Sequence, residues 1–180
     1  QACIDAGAAG VVVSNHGGRQ LDGALATADA LADVVDGVGG RGEVYVDGGI
    51  RRGQHAVKAL AMGAQGVQMG TRFLAAEESR AHPNWKQVLV DAGDSATAIA
   101  LRNSSPTRLI KNEFWEYMDS KDEPGKKAMD FMELQGEVSA KIPTDVDGSQ
   151  GNYTAGTGSG LIRDVKPSAD IIEEVVAEAT

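Results

Sequence analysis

Val44-Tyr45-Val46-Asp47-Gly48-Gly49-Ile50-Arg51-Arg52-Gly53 is a short β-prone run halted by an Asp-Gly-Gly turn and followed by helix-forming sequence. The run predicts a strand over 44–46. Val57, Leu60 and Ala61 at helical spacing predict a helix over 53–62 with a buried apolar face, capped by Gly63. Downstream, 66–69 reads as a strand ending at Gly70-Thr71. Upstream, the β-branched run 11–13 ends in the polar loop Ser14-Asn15-His16-Gly17-Gly18, and a helix over 26–38 is stopped by Gly39-Gly40. Strands separated by single helices, at intervals close to the ~30 residues of a βαβ unit, specify a parallel sheet.

The second half has a different rhythm. His82-Pro83 marks a helix start running through Trp85 to Ala92. Residues 94–126 read as polar and irregular, with Arg108-Leu109-Ile110 and Phe114-Trp115 as packed points. A helix over 127–139 precedes a Gly/Ser/Thr-rich loop over 148–160. The chain closes with an amphipathic helix after Pro167, with Ile171, Ile172, Val175, Val176 and Ala179 as its expected buried stripe.

The chain has 180 residues, short of the ~250 typical of a closed (β/α)8 barrel. The expected fold is therefore α/β, the C-terminal part of a (β/α)8 TIM barrel of about three βα units, plus a mostly helical C-terminal extension. Residues 1–93 would form the barrel units and 94–180 an extension packed on them in the same domain. Because 1–9 reads as the end of a helix feeding a strand, further strands are expected upstream of Gln1. A net charge of −9 argues against a nucleic-acid surface or a polybasic membrane patch. No apolar run approaches the ~20 residues of a membrane span. The single cysteine, Cys3, leaves no intrachain disulfide and fits a reducing compartment, so a cytoplasmic location is expected. His16, His55, His82 and Cys3 show no metal-ligand spacing, and no metal is expected.

The 23 glycines gather at strand-to-helix junctions, where backbone can approach a ligand closely. A phosphate needs several N–H donors with no side chain in the way, and Gly-Gly between a strand and a helix supplies them. Asp47-Gly48-Gly49 with Arg51 forms one such loop, and Gly70-Thr71 repeats the device one strand later. Adjacent phosphate loops after consecutive strands are a habit of (β/α)8 barrels. Asp47 would repel a phosphate and is expected to accept from sugar-alcohol hydroxyls instead. His16 and Arg19 lie beyond the first strand, on the face where barrel active sites form. An imidazole there can take a proton, and an arginine can pair bidentately with a carboxylate or nitronate. His55 reads as an exposed helical residue and His82 as part of a helix start.

Two family resemblances follow from these motifs. Residues 10–64 resemble the FMN-dependent α-hydroxy-acid oxidase/dehydrogenase family, through Ser14-Asn15-His16-Gly17-Gly18-Arg19-Gln20-Leu21-Asp22-Gly23 and the phosphate loop Asp47 to Gly53. This likeness implies FMN as cofactor, His16 as catalytic base and Arg19 as ligand of a substrate carboxylate. Residues 66–180 resemble the nitronate monooxygenase (2-nitropropane dioxygenase) family. The motifs there are Gly66-Val67-Gln68-Met69-Gly70-Thr71-Arg72-Phe73-Leu74, Ala81-His82-Pro83, Arg108-Leu109-Ile110-Lys111-Asn112 and Ala155-Gly156-Thr157-Gly158-Ser159-Gly160. Each family's pattern is broken once: Thr71-Arg72 replaces the arginine that the first carries after the last-strand glycine, and His16 precedes the glycines where the second has histidine following them. Both imply FMN, held by Asp47, Gly48, Gly49, Arg51, Gly70 and Thr71. The leading expectation is a nitronate monooxygenase-like enzyme passing electrons to oxygen. A 2-hydroxy-acid oxidase or dehydrogenase and an inactive flavin-barrel fragment are the alternatives.

Overall fold

The computed structural model describes residues 1–20, 23–104, 106–125 and 151–180. After a short helix α1 (Ala2–Asp5), strands β1 (Gly10–Val13), β2 (Glu43–Asp47) and β3 (Gly66–Gln68) form a parallel sheet in the order β1-β2-β3. Val13 pairs with Val46, and Asp47 with Gln68. The three strands therefore end side by side, and so do the loops that follow them. Helices α2 (Thr27–Val38) and α3 (Gly53–Ala61) connect the strands.

Burial alternates along β2, with Val44 and Val46 inside and Glu43 and Tyr45 outside, the period-2 pattern of a pleated strand. Val44 and Val46 pack with Val13, Leu31, Val38, Ala59 and Ala64 into one core between the sheet and its two helices. On the other face Val12 and Tyr45 sit opposite one another in the ladder, 52% and 37% exposed. Helix α2 ends at Gly39, whose φ of 60° suits a residue without Cβ and whose N–H reaches Val35 O.

The buried face of α3 differs from the expected one. Gly53, Ala56 and Ala59 are buried, whereas Val57 and Leu60 are exposed. Ala59 packs in the core under the sheet, while α7 (Ser168–Ala177), the last helix, packs against α3 and comes closest at Gly53. A Cβ at Gly53 would collide with the Val175 carbonyl and with Glu178. The Gly53 N–H donates to Glu178 Oε2 at 2.8 Å, so a carboxylate just past the end of α7 caps the start of α3. The expected stripe on α7 is corrected likewise: Ile171 is fully buried, Val175 and Ala179 half-buried, and Ile172 and Val176 exposed. One flank of α7 faces α3 and the other faces away.

A short helix α4 (Thr71–Leu74) follows β3, and α5 (Pro83–Asp91) starts as expected. His82 is its N-cap and accepts from Asn84 N through Nδ1. The described residues of 94–126 are not irregular. Strands β4 (Thr97–Ala100) and β5 (Thr107–Ile110) form an antiparallel hairpin, and α6 (Glu113–Ser120) follows, capped by Asn112 Oδ1 on Trp115 N. The described part of the extension is thus a hairpin with helices and not mostly helical. The helix expected over 127–139 lies outside the described residues, as do residues 148–150 of the expected loop.

The anticipated packed points hold. Leu109 and Phe114 join Ala100, Leu101 and Met118 in one cluster, and Ile110 joins Ala75, Leu89, Tyr153 and Ile162 in another. Tyr153 also stacks at a tilt on Trp85, with ring centroids 5.8 Å apart. Among the described residues no helix is long and apolar enough to cross a membrane.

The two flanks of α7 give a direct test. Ile171→Ala should cost about 3 kcal/mol in denaturant unfolding, whereas Ile172→Ala should stay within about 0.5 kcal/mol. Equal losses would show that both residues are buried.

Candidate functional site

The ends of β1, β2 and β3 open onto one cavity of about 460 Å³, within the range of small-molecule and cofactor pockets. All the residues singled out from sequence line it: His16, Arg19, Asp47, Gly48, Gly49, Arg51, Gly70 and Thr71. The parallel register that aligns the strand ends brings them together.

The loop after β1 is wound unusually. His16, Gly17 and Gly18 have φ of 55°, 65° and 66°, a run of left-handed backbone that glycine adopts freely and histidine does not. The Asn15 side chain holds this turn by accepting from Gly17 N at 3.0 Å. From the far side, Arg108 of β5 donates through Nε to Gly18 O at 3.2 Å, and its backbone N–H donates to Arg19 O at 2.9 Å. His16 remains exposed and Arg19 half-buried.

The loop after β2 has two left-handed glycines, Gly48 at 78° and Gly49 at 82°. A Cβ at Gly48 would stand 2.6 Å from Asn15 Oδ1, so the first two loops can touch only through a glycine. At Gly49 a Cβ would meet nothing within 4 Å, which leaves open room on the cavity side. Gly70, at the end of β3, is different. Its φ is −88°, open to any residue, and a Cβ there would also meet nothing. Neither the backbone nor any described neighbour requires a glycine there, so the open space on its Cα is left to the cavity.

Residues 154–164 form the remaining wall, which residue-by-residue reading did not assign to the site. Gly156 N donates to Thr71 Oγ1 at 3.1 Å, and Arg51 Nη2 reaches Thr157 Oγ1 at 3.5 Å. The Thr71 hydroxyl therefore anchors this segment. Arg72 Nη2 pairs with Asp164 Oδ1 at 2.7 Å and its Nη1 bonds Asp164 O, which makes Arg72 a structural clip. The repeated Gly-x-Gly of Gly156-Thr157-Gly158 was the available signal. Its physical sense is visible at Gly160, the next glycine of the run, where a Cβ would collide with the Asp94 backbone at 2.8–2.9 Å.

His55 is also corrected. It is half-buried, and its Nδ1 accepts from Arg51 N at 3.2 Å. Burial pushes its pKa below the ordinary 6.5, and the positive charges of Arg51, Lys58 and Arg52 push the same way, while Glu178 opposes them.

Three buried polar atoms at the cavity have no protein partner: Asp47 Oδ1, Arg19 Nε and Arg51 Nε. Buried polar groups are normally satisfied, so these atoms describe what a ligand must bring. Two guanidinium groups ask for anionic acceptors, and one carboxylate oxygen asks for a hydroxyl or N–H donor. A phosphorylated polyol carrying a flavin meets both requirements, so the residues present fit FMN.

Comparison with known proteins agrees with this fit. Residues 1–89 match the family of FMN-dependent dehydrogenases, and this match indicates FMN as the cofactor. Curated relatives include an L-lactate dehydrogenase of Caulobacter sp. (strain K31), 51% identical over 89 residues, which are 49% of this chain and 23% of that protein. An L-lactate oxidase of Nostoc sp. (strain PCC 7120) is 60% identical over 71 residues, 39% of this chain and 20% of that protein. The chain thus spans about a quarter or less of the curated relatives' length.

Solved structures resemble nearly all of it. FabK from Thermotoga maritima aligns with 97% of this chain and 55% of its own at 28% identity, with a TM-score of 0.78. Nitroalkane oxidase from Streptomyces ansochromogenes aligns with 99% of this chain and 54% of its own at 26% identity, with a TM-score of 0.80. Both likenesses read from the sequence are therefore present, and the chain carries the fold and cofactor signature of a flavin-dependent oxidoreductase.

Two glycines separate backbone need from ligand space. Gly48→Ala should destabilise the chain by more than 1 kcal/mol, through its positive φ and the Asn15 contact. Gly70→Ala should leave the melting temperature within about 2 °C, yet weaken FMN in a fluorescence-quenching titration. A Gly70→Ala protein with unchanged FMN affinity would remove Gly70 from the site.

Proposed function

We propose that the chain is the FMN-holding, C-terminal part of a (β/α)8-barrel oxidoreductase that oxidises a small 2-hydroxy acid. The observation that carries the reading is the shared cavity of His16 and Arg19 beside the Asp47-Gly48-Gly49 loop, with Arg19 Nε buried and unpartnered. The exposed pair Val12 and Tyr45 lies on the sheet face that a barrel turns inward. Residues 1–93 would carry the barrel units and 94–180 the extension within one domain, supported by the cluster that joins Ala75 and Leu89 to Ile110 and Ile162.

Arg51 and the glycines at 48, 49 and 70 would hold the flavin phosphate, and Asp47 Oδ1 would accept from a ribityl hydroxyl. When bound, FMN supplies the two-electron acceptor. The Arg19 guanidinium pairs with the substrate carboxylate and fixes its α-carbon in the cavity. His16 takes the hydroxyl proton as the substrate becomes a 2-oxo acid. The left-handed turn held by Asn15 and Arg108 keeps the imidazole in place, so orientation comes from backbone winding. Oxidation of a nitronate, with oxygen as acceptor, is the second reading. It is favoured by the alignment of 99% of the chain with nitroalkane oxidase, and in it the same Arg19 would hold the nitronate oxygens.

Anaerobic mixing of the FMN-loaded protein with L-lactate, glycolate or propionate 3-nitronate tests the choice. Bleaching by a hydroxy acid is expected, and bleaching by the nitronate alone would reverse the order of the two readings. His16→Ala should slow that reduction at least about a hundredfold while FMN stays bound. Arg19→Lys should raise the half-saturating substrate concentration about tenfold. A protein that stays colourless in excess FMN would overturn both readings.

A further inference from the structure

The helix after the Asp47 loop begins at Gly53, with Arg52 as N-cap, whose own side chain makes no capping bond. The third helical position is where a glutamate or glutamine commonly reaches back to an N-terminal N–H in a capping box. Here that position is His55, and its Nδ1 accepts the N–H of Arg51, one residue before the cap, at 3.2 Å. Arg51 is the residue whose Nε is buried without a partner and whose Nη2 reaches Thr157. Its backbone is therefore tied to α3 and its guanidinium to the 156–158 loop.

We propose that His55 is a positioning residue of the phosphate loop, whose unprotonated Nδ1 fixes Arg51 and thereby makes the loop competent to bind an anion. The proposal rests on the flavin reading above and adds the part of that site sensitive to pH. A ring nitrogen can accept from an amide only when it carries no proton. The charged groups around the ring are Arg51, Arg52 and Lys58 from its own segment and Glu178 from just past the end of α7. Burial first, and then three positive charges against one carboxylate, favour the neutral form of the imidazole. The sign follows directly. With the folded value below the ordinary 6.5, the contact is intact above 6.5 and is lost as pH falls through the lowered value.

The test uses the whole chain with two substitutions. His55→Gln keeps an acceptor that does not titrate, and His55→Leu removes the acceptor but keeps an apolar side chain. In the FMN-free wild type, the Arg51 amide proton, followed by NMR from pH 8 to 5, should shift with a midpoint below 6.5, and in His55→Gln it should not. At pH 7.5 the His55→Leu protein should bind FMN about tenfold more weakly, and His55→Gln within about threefold of wild type. Between pH 7.5 and 5.5 the ratio of wild-type to His55→Gln dissociation constants should rise, since the protonation of the phosphate itself, near pH 6, affects both proteins alike. An Arg51 amide indifferent to pH overturns the proposal. So does His55→Gln falling as far as His55→Leu, because ring packing and not the acceptor would then matter. If no variant binds FMN while the Arg51 amide still follows His55, the flavin reading fails and the His55 contact stands.

Discussion

The parallel register of three short strands governs everything around the site. Pairing Val13 with Val46 and Asp47 with Gln68 ends β1, β2 and β3 at one level. Three loops with few local contacts in common thereby become neighbours. The register is fixed by the alternation that buries Val44 and Val46 against α2 and α3, and a one-residue slip would turn that set outward. The core under the sheet and the chemistry above it are two results of the same pairing.

The extension completes what the sheet begins. Arg108 from β5 reaches the back of the His16 turn, Gly156 docks on Thr71, and Asp164 pairs with Arg72. The cavity wall therefore comes from both halves of the chain. This explains how two likenesses coexist. The residues closest to the proposed chemistry lie in the segment that matches FMN-dependent dehydrogenases, and the frame that closes over them has the shape of FabK and nitroalkane oxidase.

The parallel sheet, its connecting helices and the cavity residues were legible in the sequence because strand, Gly-rich turn and helix are local signals with local causes. The β4–β5 hairpin was not. Thr97-Ala98-Ile99-Ala100 is four residues long with weak polarity contrast, and its stability comes from distant partners such as Leu109, Phe114 and Met118. Helix faces were misjudged for a related reason. Val57, Leu60, Ile172 and Val176 have apolar side chains at helical spacing, yet α3 turns Ala59 to the sheet core and Gly53 to α7, and these small residues take the buried side. His55 looked ordinary because its role is set by a backbone N–H four residues earlier, and no residue pattern displays such a bond. The 154–164 wall depended on hydrogen bonds between residues about half the chain apart.

Those long-range bonds tie ligand occupancy to the order of assembly. Thr71 and Gly156, or Arg72 and Asp164, meet only after a loop of roughly ninety residues has closed. Loop closure of that kind is entropically late, because the cost precedes the contacts that offset it. The sheet and its two helices can form from nearer contacts first, leaving the cavity open on one side. A molecule that touches Gly49 and Thr157 together would span such a late seam, and it would stabilise the closed state in proportion to the logarithm of its concentration over its dissociation constant. In such a chain a cofactor bound there would fasten the two halves of the fold together as well as equip the site.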